Sequence, residues 1–132
     1  MPLISVTRLR VRALRYMPGF LFYSLRSARQ AKRDPANLGI RLLRDAKRTF
    51  WTCTAWRDEV SMRSFMMAPP HRHAMAKLPN WCEEASVVRW NQESAALPDW
   101  QEAYGRMLSD GRRSKVKYPS PAHEAYEIAR PR

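Results

Sequence analysis

The chain has 132 residues, of which 45% are hydrophobic, and a formal net charge of +12 at neutral pH. This length suits one domain with a short extension, and five tryptophans indicate a packed core rather than a disordered chain. Only four glycines are present and no Gly-rich phosphate-binding pattern occurs, which excludes the common nucleotide-binding loops.

The positive charge is concentrated in the first half of the chain. Residues 1–57 contain 13 Lys or Arg against two acids, whereas residues 58–132 contain 11 against 10. A basic half can contact nucleic acid, an anionic membrane surface or an anionic small molecule, and it can equally be a solvated surface. No RNA-reading motif of the RNP1 type occurs, which disfavours nucleic acid. A solvated surface is favoured over both nucleic acid and peripheral contact with a membrane.

The two cysteines, Cys53 and Cys82, are too few for a disulfide scaffold and lack the spacing of a metal or redox motif. They are predicted to be buried free thiols of a reducing compartment. The apolar segment 17–25 is shorter than the ~20 residues that span a bilayer, and no secretory signal is evident. The sequence therefore predicts a cytoplasmic protein.

The first half of the chain alternates between strand and helix patterns. Segment 3–12 is rich in β-branched residues and predicts a strand, with the arginines of one face expected to meet solvent. Segment 16–33 predicts a helix. Segment 40–56 predicts two strands joined by a short turn, and the uncharged faces of the second indicate a central strand covered on both sides. The predicted apolar stripe of the helix consists of Met17, Phe20, Leu21, Leu25 and Ala28.

The second half completes the pattern. Segment 58–67 predicts a helix that Pro69 and Pro70 must break before it resumes, and segment 83–90 predicts a fourth strand. The order β-α-β-β-α-β matches the ferredoxin-like α+β motif. The predicted division is a ferredoxin-like domain at residues 1–92 and a partly helical extension at 93–132, which is either docked on a dimer of such domains or exchanged around it. A further helix is expected at 97–111, docked through Trp100, Tyr104 and Met107 or Leu108, and Ser120 is expected to cap a short last helix.

Six segments of the chain carry a family resemblance: ISVTRLRVR, RSARQAKR, LRDAKRTFWTCTAW, MRSFM, HRHAMAKLPNWCEEASVVRW and LPDW. Together they resemble a bacterial domain-of-unknown-function family in the dimeric α+β barrel superfamily. The better-known relatives are antibiotic-biosynthesis-type monooxygenases, and the haem-dependent spheroidene monooxygenase is similar more distantly. The resemblance covers about residues 3–92, with a weaker continuation to about Pro119. It implies two ferredoxin-like sheets paired through a two-fold axis, with a small-molecule pocket between each sheet and its own helices.

The resemblance implies a monooxygenase-like enzyme that acts on a hydrophobic small molecule, which can also carry a negative charge. The alternative is a non-catalytic barrel domain that binds a small molecule or another protein. The cofactor stays open, because the superfamily includes both cofactor-free oxygenation and haem chemistry.

The candidate catalytic residue is His71, which follows the Pro69-Pro70 break. It can act as a general base or a single haem ligand, or it can hydrogen-bond a carbonyl that the break leaves free. His71 and His73 lie about 200° apart on a helix, so they cannot share one metal ion, and no metal site is predicted. The candidate substrate-binding residues are Trp51, Thr52, Thr54, Tyr23 and Arg44.

The resemblance also predicts a homodimer. Light scattering at micromolar concentration should give twice the 15.5 kDa mass of the chain. A mass of one chain would contradict this prediction.

Overall fold

Five strands and five helices make up the structure, a computed structural model that describes residues 1–132. A short 3-10 turn, Leu14–Tyr16, precedes the first helix. The elements in chain order are β1 (Leu3–Val11), α1 (Met17–Arg33), β2 (Asn37–Asp45), β3 (Thr49–Trp56), α2 (Glu59–Met67), α3 (His71–Trp81), β4 (Cys82–Asn91), α4 (Trp100–Asp110), β5 (Arg112–Arg113) and α5 (Pro121–Glu124).

The strands form one antiparallel sheet in the order β2-β3-β1-β4-β5. Strands β1 and β3 are central, and the β1–β3 register pairs Leu3 with Trp56 and Arg10 with Thr49. The first four strands and helices α1 to α3 have the ferredoxin-like connectivity, which confirms the predicted α+β fold class. The prediction that β3 is covered on both faces is also confirmed, because its side chains belong to buried clusters on either side.

Alternation along β1 divides the core into two layers. Leu3 and Val11 face α1, α2 and α3, whereas Ile4 and Val6 face the opposite side of the sheet. The helix-facing core is itself split into an apolar cluster at each end of β1. One cluster contains Leu3, Ala31, Ala36, Trp56, Met62 and Phe65, and the other contains Val11, Met17, Phe20 and Cys82.

The predicted apolar stripe of α1 is wrong at two positions. Leu21 is 41% exposed and Leu25 is 61% exposed, although Met17 and Phe20 are buried as expected. The buried side of α1 continues instead through Ala31. Hydrophobicity alone misplaced this side, because the residues between Phe20 and Ala31 on it are serines rather than leucines.

Helix α4 covers the opposite face of the sheet. The Asp99 carboxylate caps it by accepting a hydrogen bond from the Glu102 amide at 2.8 Å. The extension at residues 93–132 thus docks on the sheet of its own chain through the predicted apolar stripe of α4. Exchange of the extension around a dimer stays a prediction. The cluster under α4 contains Ile4, Val6, Trp51, Cys53, Ala55, Val88, Ala103 and Met107, with Trp100 and Tyr104 packed against it.

Arg8 is not on a solvent-facing part of β1, as the sequence analysis expected. It is 3% exposed, and its Nη1 atom is 2.7 Å from a Glu84 oxygen. Glu84 also accepts hydrogen bonds from Arg10 at 3.0 Å and from the Ser120 hydroxyl at 2.9 Å. The expectation failed because a buried arginine depends on the register with β4, which brings the acid beside it. Ser120 caps α5 as predicted, since it accepts from the His123 amide.

The docking of α4 depends on Met107, which is fully buried, whereas the adjacent Leu108 is 46% exposed. Met107→Ala should lower the free energy of unfolding by about 2–5 kcal/mol, because it leaves a cavity under the helix. The matched change Leu108→Ala should stay within about 0.5 kcal/mol of wild type. Urea unfolding measures both, and equal effects of the two changes would show that α4 is not docked in solution.

Candidate functional site

A polar strip crosses the helix-facing side of the sheet between the two apolar clusters. Ser5 and Thr7 of β1 share the helix-facing phase of Leu3 and Val11. Three of their four cross-strand partners continue the strip, since Ser5 pairs with Thr54 of β3 and Arg89 of β4, and Thr7 pairs with Thr52 of β3. The β4 partner of Thr7 is the apolar Val87. Polar side chains in a covered layer have to be hydrogen-bonded or bind a ligand.

The helix above the strip is polar at the same level. Ser24 and Ser27 follow Phe20 at helical spacing and precede Ala31, so they lie on the sheet-facing side of α1. The Ser27 hydroxyl is buried and has no hydrogen-bond partner. The layer between α1 and the sheet is therefore apolar at both ends and polar in the middle.

Gln30 of α1 holds the junction between α2 and α3. Its side-chain amide donates to the carbonyls of Phe65 at 3.0 Å and Ala68 at 3.3 Å, and its Oε1 accepts from the His71 amide at 2.9 Å. Of these groups only the His71 amide lacks a backbone partner, since the Phe65 and Ala68 carbonyls also accept from the Ala68 and Arg72 amides. Gln30 therefore links α1 to both sides of the Pro69-Pro70 break, and the sequence analysis did not single it out.

The ring of His71 packs against Phe65, a member of the apolar cluster around Leu3 and Trp56, at a centroid distance of 4.6 Å. Its Nδ1 atom is 3.4 Å from the carbonyl oxygen of Met66, which is a long and weak hydrogen bond. Because a carbonyl oxygen only accepts, the neutral ring that makes this contact carries its proton on Nδ1 and a lone pair on Nε2. Burial lowers the pKa of His71 below 6.5; the Met66 contact opposes this shift, and the charge of Arg89 adds to it. His71 is therefore neutral at physiological pH, with Nε2 as a base.

Arg89 is a half-buried cation without an acidic partner. Its Nη2 atom is 3.5 Å from the sulfur of Met66, and its Nε atom is buried without a hydrogen-bond partner. No carboxylate lies within ion-pair distance of it. Burial and the charges of Arg112 and Arg63 lower the pKa of Arg89, while the charge of Glu59 opposes this shift. A guanidinium remains protonated at neutral pH. An anion or a carbonyl oxygen is the partner that this group lacks.

Arg89 could have been noticed in the sequence. It stands in the run Ala85 to Trp90, which is otherwise uncharged and reads as a covered strand. A single charge in such a strand indicates a specific partner or a ligand.

The structure gathers only some of the predicted site residues. Thr52 and Thr54 belong to the polar strip, on the same side of the sheet as His71. Thr54 is already engaged, because its hydroxyl donates to the Ser5 carbonyl at 3.4 Å and accepts from the Trp56 indole at 2.9 Å. Of these two candidate substrate-binding residues, Thr52 is therefore the stronger one.

Three predicted residues lie elsewhere. Trp51 is on the opposite face of the sheet, under α4, where its ring centroid is 6.5 Å from that of Trp100. Tyr23 packs against Trp81 of α3 at 5.7 Å, on the boundary between α1 and α3. Arg44 is exposed on the edge strand β2. One cavity therefore cannot contain Trp51 together with Thr52 and Thr54.

Solved structures of other proteins share this arrangement of sheet and helices. SnoaB, a cofactor-independent oxygenase from Streptomyces nogalater, is 18% identical, with a TM-score of 0.58 over 74% of this chain and 98% of its own. An antibiotic biosynthesis monooxygenase is 13% identical, with a TM-score of 0.61 over 70% and 99%. Rv0793 from Mycobacterium tuberculosis is 9% identical, with a TM-score of 0.64 over 71% and 97%.

The chain has the antibiotic-biosynthesis-monooxygenase fold. At these identities the likeness shows the fold alone. No family model and no curated protein matches the chain. The predicted monooxygenase-type α+β fold is thereby confirmed, while membership of the dimeric α+β barrel superfamily, the dimer and the site residues stay predictions. None of the helices is long and apolar enough to cross a membrane.

The neutral state of His71 predicts a pH dependence of stability. In the unfolded chain the imidazole takes up a proton below its usual pKa near 6.5, whereas the folded state resists protonation. The contribution of His71 is therefore present above that pH and is lost as the pH falls through the lower folded value. His71→Asn keeps an N–H donor near Met66 but cannot titrate.

The wild type should lose more unfolding free energy than His71→Asn when the pH is lowered from about 7.5 to about 5.5 in urea titrations. His123, whose pKa burial also lowers, acts in both proteins and cancels in the comparison. Parallel pH profiles would contradict the burial of a neutral His71.

Proposed function

We propose that the chain binds a hydrophobic small molecule with an anionic or carbonyl group between the sheet and helices α1 to α3, and oxygenates it in a monooxygenase-like reaction. The observation that carries the proposal is Arg89, a half-buried cation with an unpartnered Nε and no acid within ion-pair distance. A ligand anion or carbonyl oxygen would satisfy it. The apolar clusters on either side of the polar strip suit the rest of such a molecule.

The residues present fit a reaction that needs no external reductant. Nε2 of His71 would remove a proton from a carbon next to a carbonyl group, and the Arg89 cation would stabilise the enolate that forms. The enolate carbon reduces dioxygen and forms a C–O bond to it. The resulting hydroperoxide loses water, so that a CH2 group and O2 become a C=O group and H2O. The substrate supplies all the electrons, and His71 returns its proton to the water released.

A non-catalytic binding domain is the second candidate. It is favoured by the contact between His71 Nδ1 and the Met66 carbonyl, which gives the ring a part in holding the α2–α3 junction. In that case Arg89 would bind the ligand and His71 would only support the site.

The homodimer that the resemblance predicts is also part of the proposal. Because α4 covers the sheet face opposite the helices, a second copy that pairs through this face has to displace or exchange α4.

Haem is the cofactor alternative that the resemblance allows. A haem-ligating histidine commonly donates its other nitrogen to a carbonyl, and the Nδ1 contact with Met66 fits that pattern. In a haem protein His71 would hold the iron and Arg89 would offer a cation to a propionate, while the haem would supply the redox chemistry.

Two variants test the proposal with anilinonaphthalene sulfonate as a hydrophobic anion and an anthrone as an acidic CH2 substrate. Arg89→Met should weaken binding of the anion by about tenfold or more, because it removes a charged hydrogen-bond donor. Lys115→Met is the control, since it removes an exposed cation that does not act on Arg89 and should leave binding nearly unchanged. His71→Asn should bind the anion normally but lose oxygen uptake with the anthrone.

The outcomes separate the candidates. Phe22 and Leu25, which are exposed on the outer side of α1 beside Arg26, are changed to serine in every protein of this test so that the probe does not bind there. Normal binding by Arg89→Met in that background would remove the proposed site altogether. Oxygen uptake that is absent in wild type, with binding still dependent on Arg89, would favour the non-catalytic domain. A Soret shift on titration with haemin that His71→Asn abolishes would assign haem.

A further inference from the structure

We propose that the outer side of α1 docks on the surface of an anionic phospholipid membrane. This surface lies on the side of α1 that faces away from the sheet, and the proposal does not depend on the proposed reaction. It arises from the leucines that the sequence pattern placed in the core and that the structure places outside.

Four large apolar side chains form an exposed apolar tip at the start of α1. Leu14 is 74% exposed, Phe22 is 55% exposed, and Leu21 and Leu25 are exposed as described above. Leu21, Phe22 and Leu25 lie within an arc of about 100° on the helix, so they form one surface. Exposed apolar residues scattered singly need no explanation, but a cluster of this kind marks an interaction site.

Basic side chains surround this tip and form a basic collar. All five are exposed, and none makes an ion pair with an acid. The Arg26 guanidinium lies over the ring of Phe22 at 5.5 Å, so collar and tip are in contact. No acidic residue precedes Asp34 in the chain. The collar consists of Arg15, Arg26, Arg29, Lys32 and Arg33.

Of the partners that an exposed surface can bind, a membrane fits the combination of apolar tip and basic collar best. A second copy of the chain would bury the tip but would bring two basic collars together without an acid between them. A nucleic acid would neutralise the collar but would leave the leucines in water. An anionic bilayer accepts both, because acyl chains surround apolar side chains while headgroups pair with arginine and lysine.

The arrangement along the helix also gives an orientation. The apolar residues occupy the 3-10 turn and the first turns of α1, and four of the five collar residues follow in the last turns. Helix α1 would therefore enter the headgroup region with its N-terminal end deeper than its C-terminal end.

Co-sedimentation with vesicles of phosphatidylglycerol and phosphatidylcholine, and of phosphatidylcholine alone, tests the proposal. The wild type should bind the anionic vesicles much more tightly than the neutral ones, with an affinity that falls as salt is added. The double variant Phe22→Ser and Leu25→Ser should lower the partition coefficient by about tenfold or more, since it removes the inserted groups. Arg29→Glu with Arg33→Glu should lower it by about tenfold as well.

Two matched controls test whether the vesicles bind this surface specifically or are attracted by the overall positive charge of the protein. Val60→Ser with Met67→Ser removes equally exposed apolar side chains from α2, and Lys115→Glu with Lys117→Glu makes the same change in net charge elsewhere. Both should bind within about threefold of wild type. Circular dichroism of each variant shows that the fold is retained.

Three results would overturn the proposal. The first is the absence of binding to anionic vesicles at low salt, or an equal loss in variants and controls. The second is tighter binding to a DNA or RNA duplex that Phe22→Ser with Leu25→Ser leaves unchanged, which would assign the collar to nucleic acid. The third is a dimer in light scattering that the same double variant converts to a monomer, which would assign the tip to a second copy.

Discussion

The central position of β1 and β3, each paired on both sides and covered on both faces, is the constraint on which the rest of the structure depends. Successive side chains of a strand point to opposite faces, so every residue of these strands is committed either to helices α1 to α3 or to α4. Leu3 and Val11 face the helices, and Ile4 and Val6 face α4. A slip of one residue would exchange the two sets and leave Arg8 without Glu84.

The polar strip interrupts the apolar packing between the sheet and helices α1 to α3. Burying a hydroxyl or a guanidinium without a partner is unfavourable by roughly 1–3 kcal/mol. The Ser27 hydroxyl and the Nε atom of Arg89 are both in that state, as is the Ser86 hydroxyl on the opposite face. On the other face Arg8 also lacks a partner for Nε, but its charge is neutralised by Glu84. Arg89 has no such acid, and this difference separates a candidate binding site from a structural ion pair.

Much of the fold follows from local sequence patterns, but the site does not. Alternation in the run from Phe50 to Trp56 and the break at Pro69-Pro70 are sufficient to predict β3 and the division of α2 from α3. The partner of Arg8 and the role of Gln30 depend on contacts between residues 76 and 41 positions apart, which no local pattern contains. Adjacent residues of a strand point to opposite faces of the sheet, so alternation alone is sufficient to predict that Trp51 and Thr52 do not line the same cavity.

The orientation of α1 connects the two proposals. A helix turned by about 100° would place Leu21, Leu25 and Ala28 over the sheet, as hydrophobicity alone favours, and would expose the serines. Contacts on its α3 side prevent this rotation. A Cβ on Gly19 would be 3.1 Å from the ring of Trp81, which shows how closely the helices approach there.

Gln30 is fixed on the same side by its three hydrogen bonds to the α2–α3 junction. The observed orientation therefore places Ser27 towards the sheet and Leu25 towards solvent. A hydroxyl is more stable in water and a leucine side chain is more stable in an apolar core, so neither residue is in its favoured environment. Local conflicts of this kind are expected where function opposes stability. A ligand beside Ser27 and a lipid surface around Leu25 would each relieve one of them, and the vesicle and anion-binding experiments address the two sides of the helix separately.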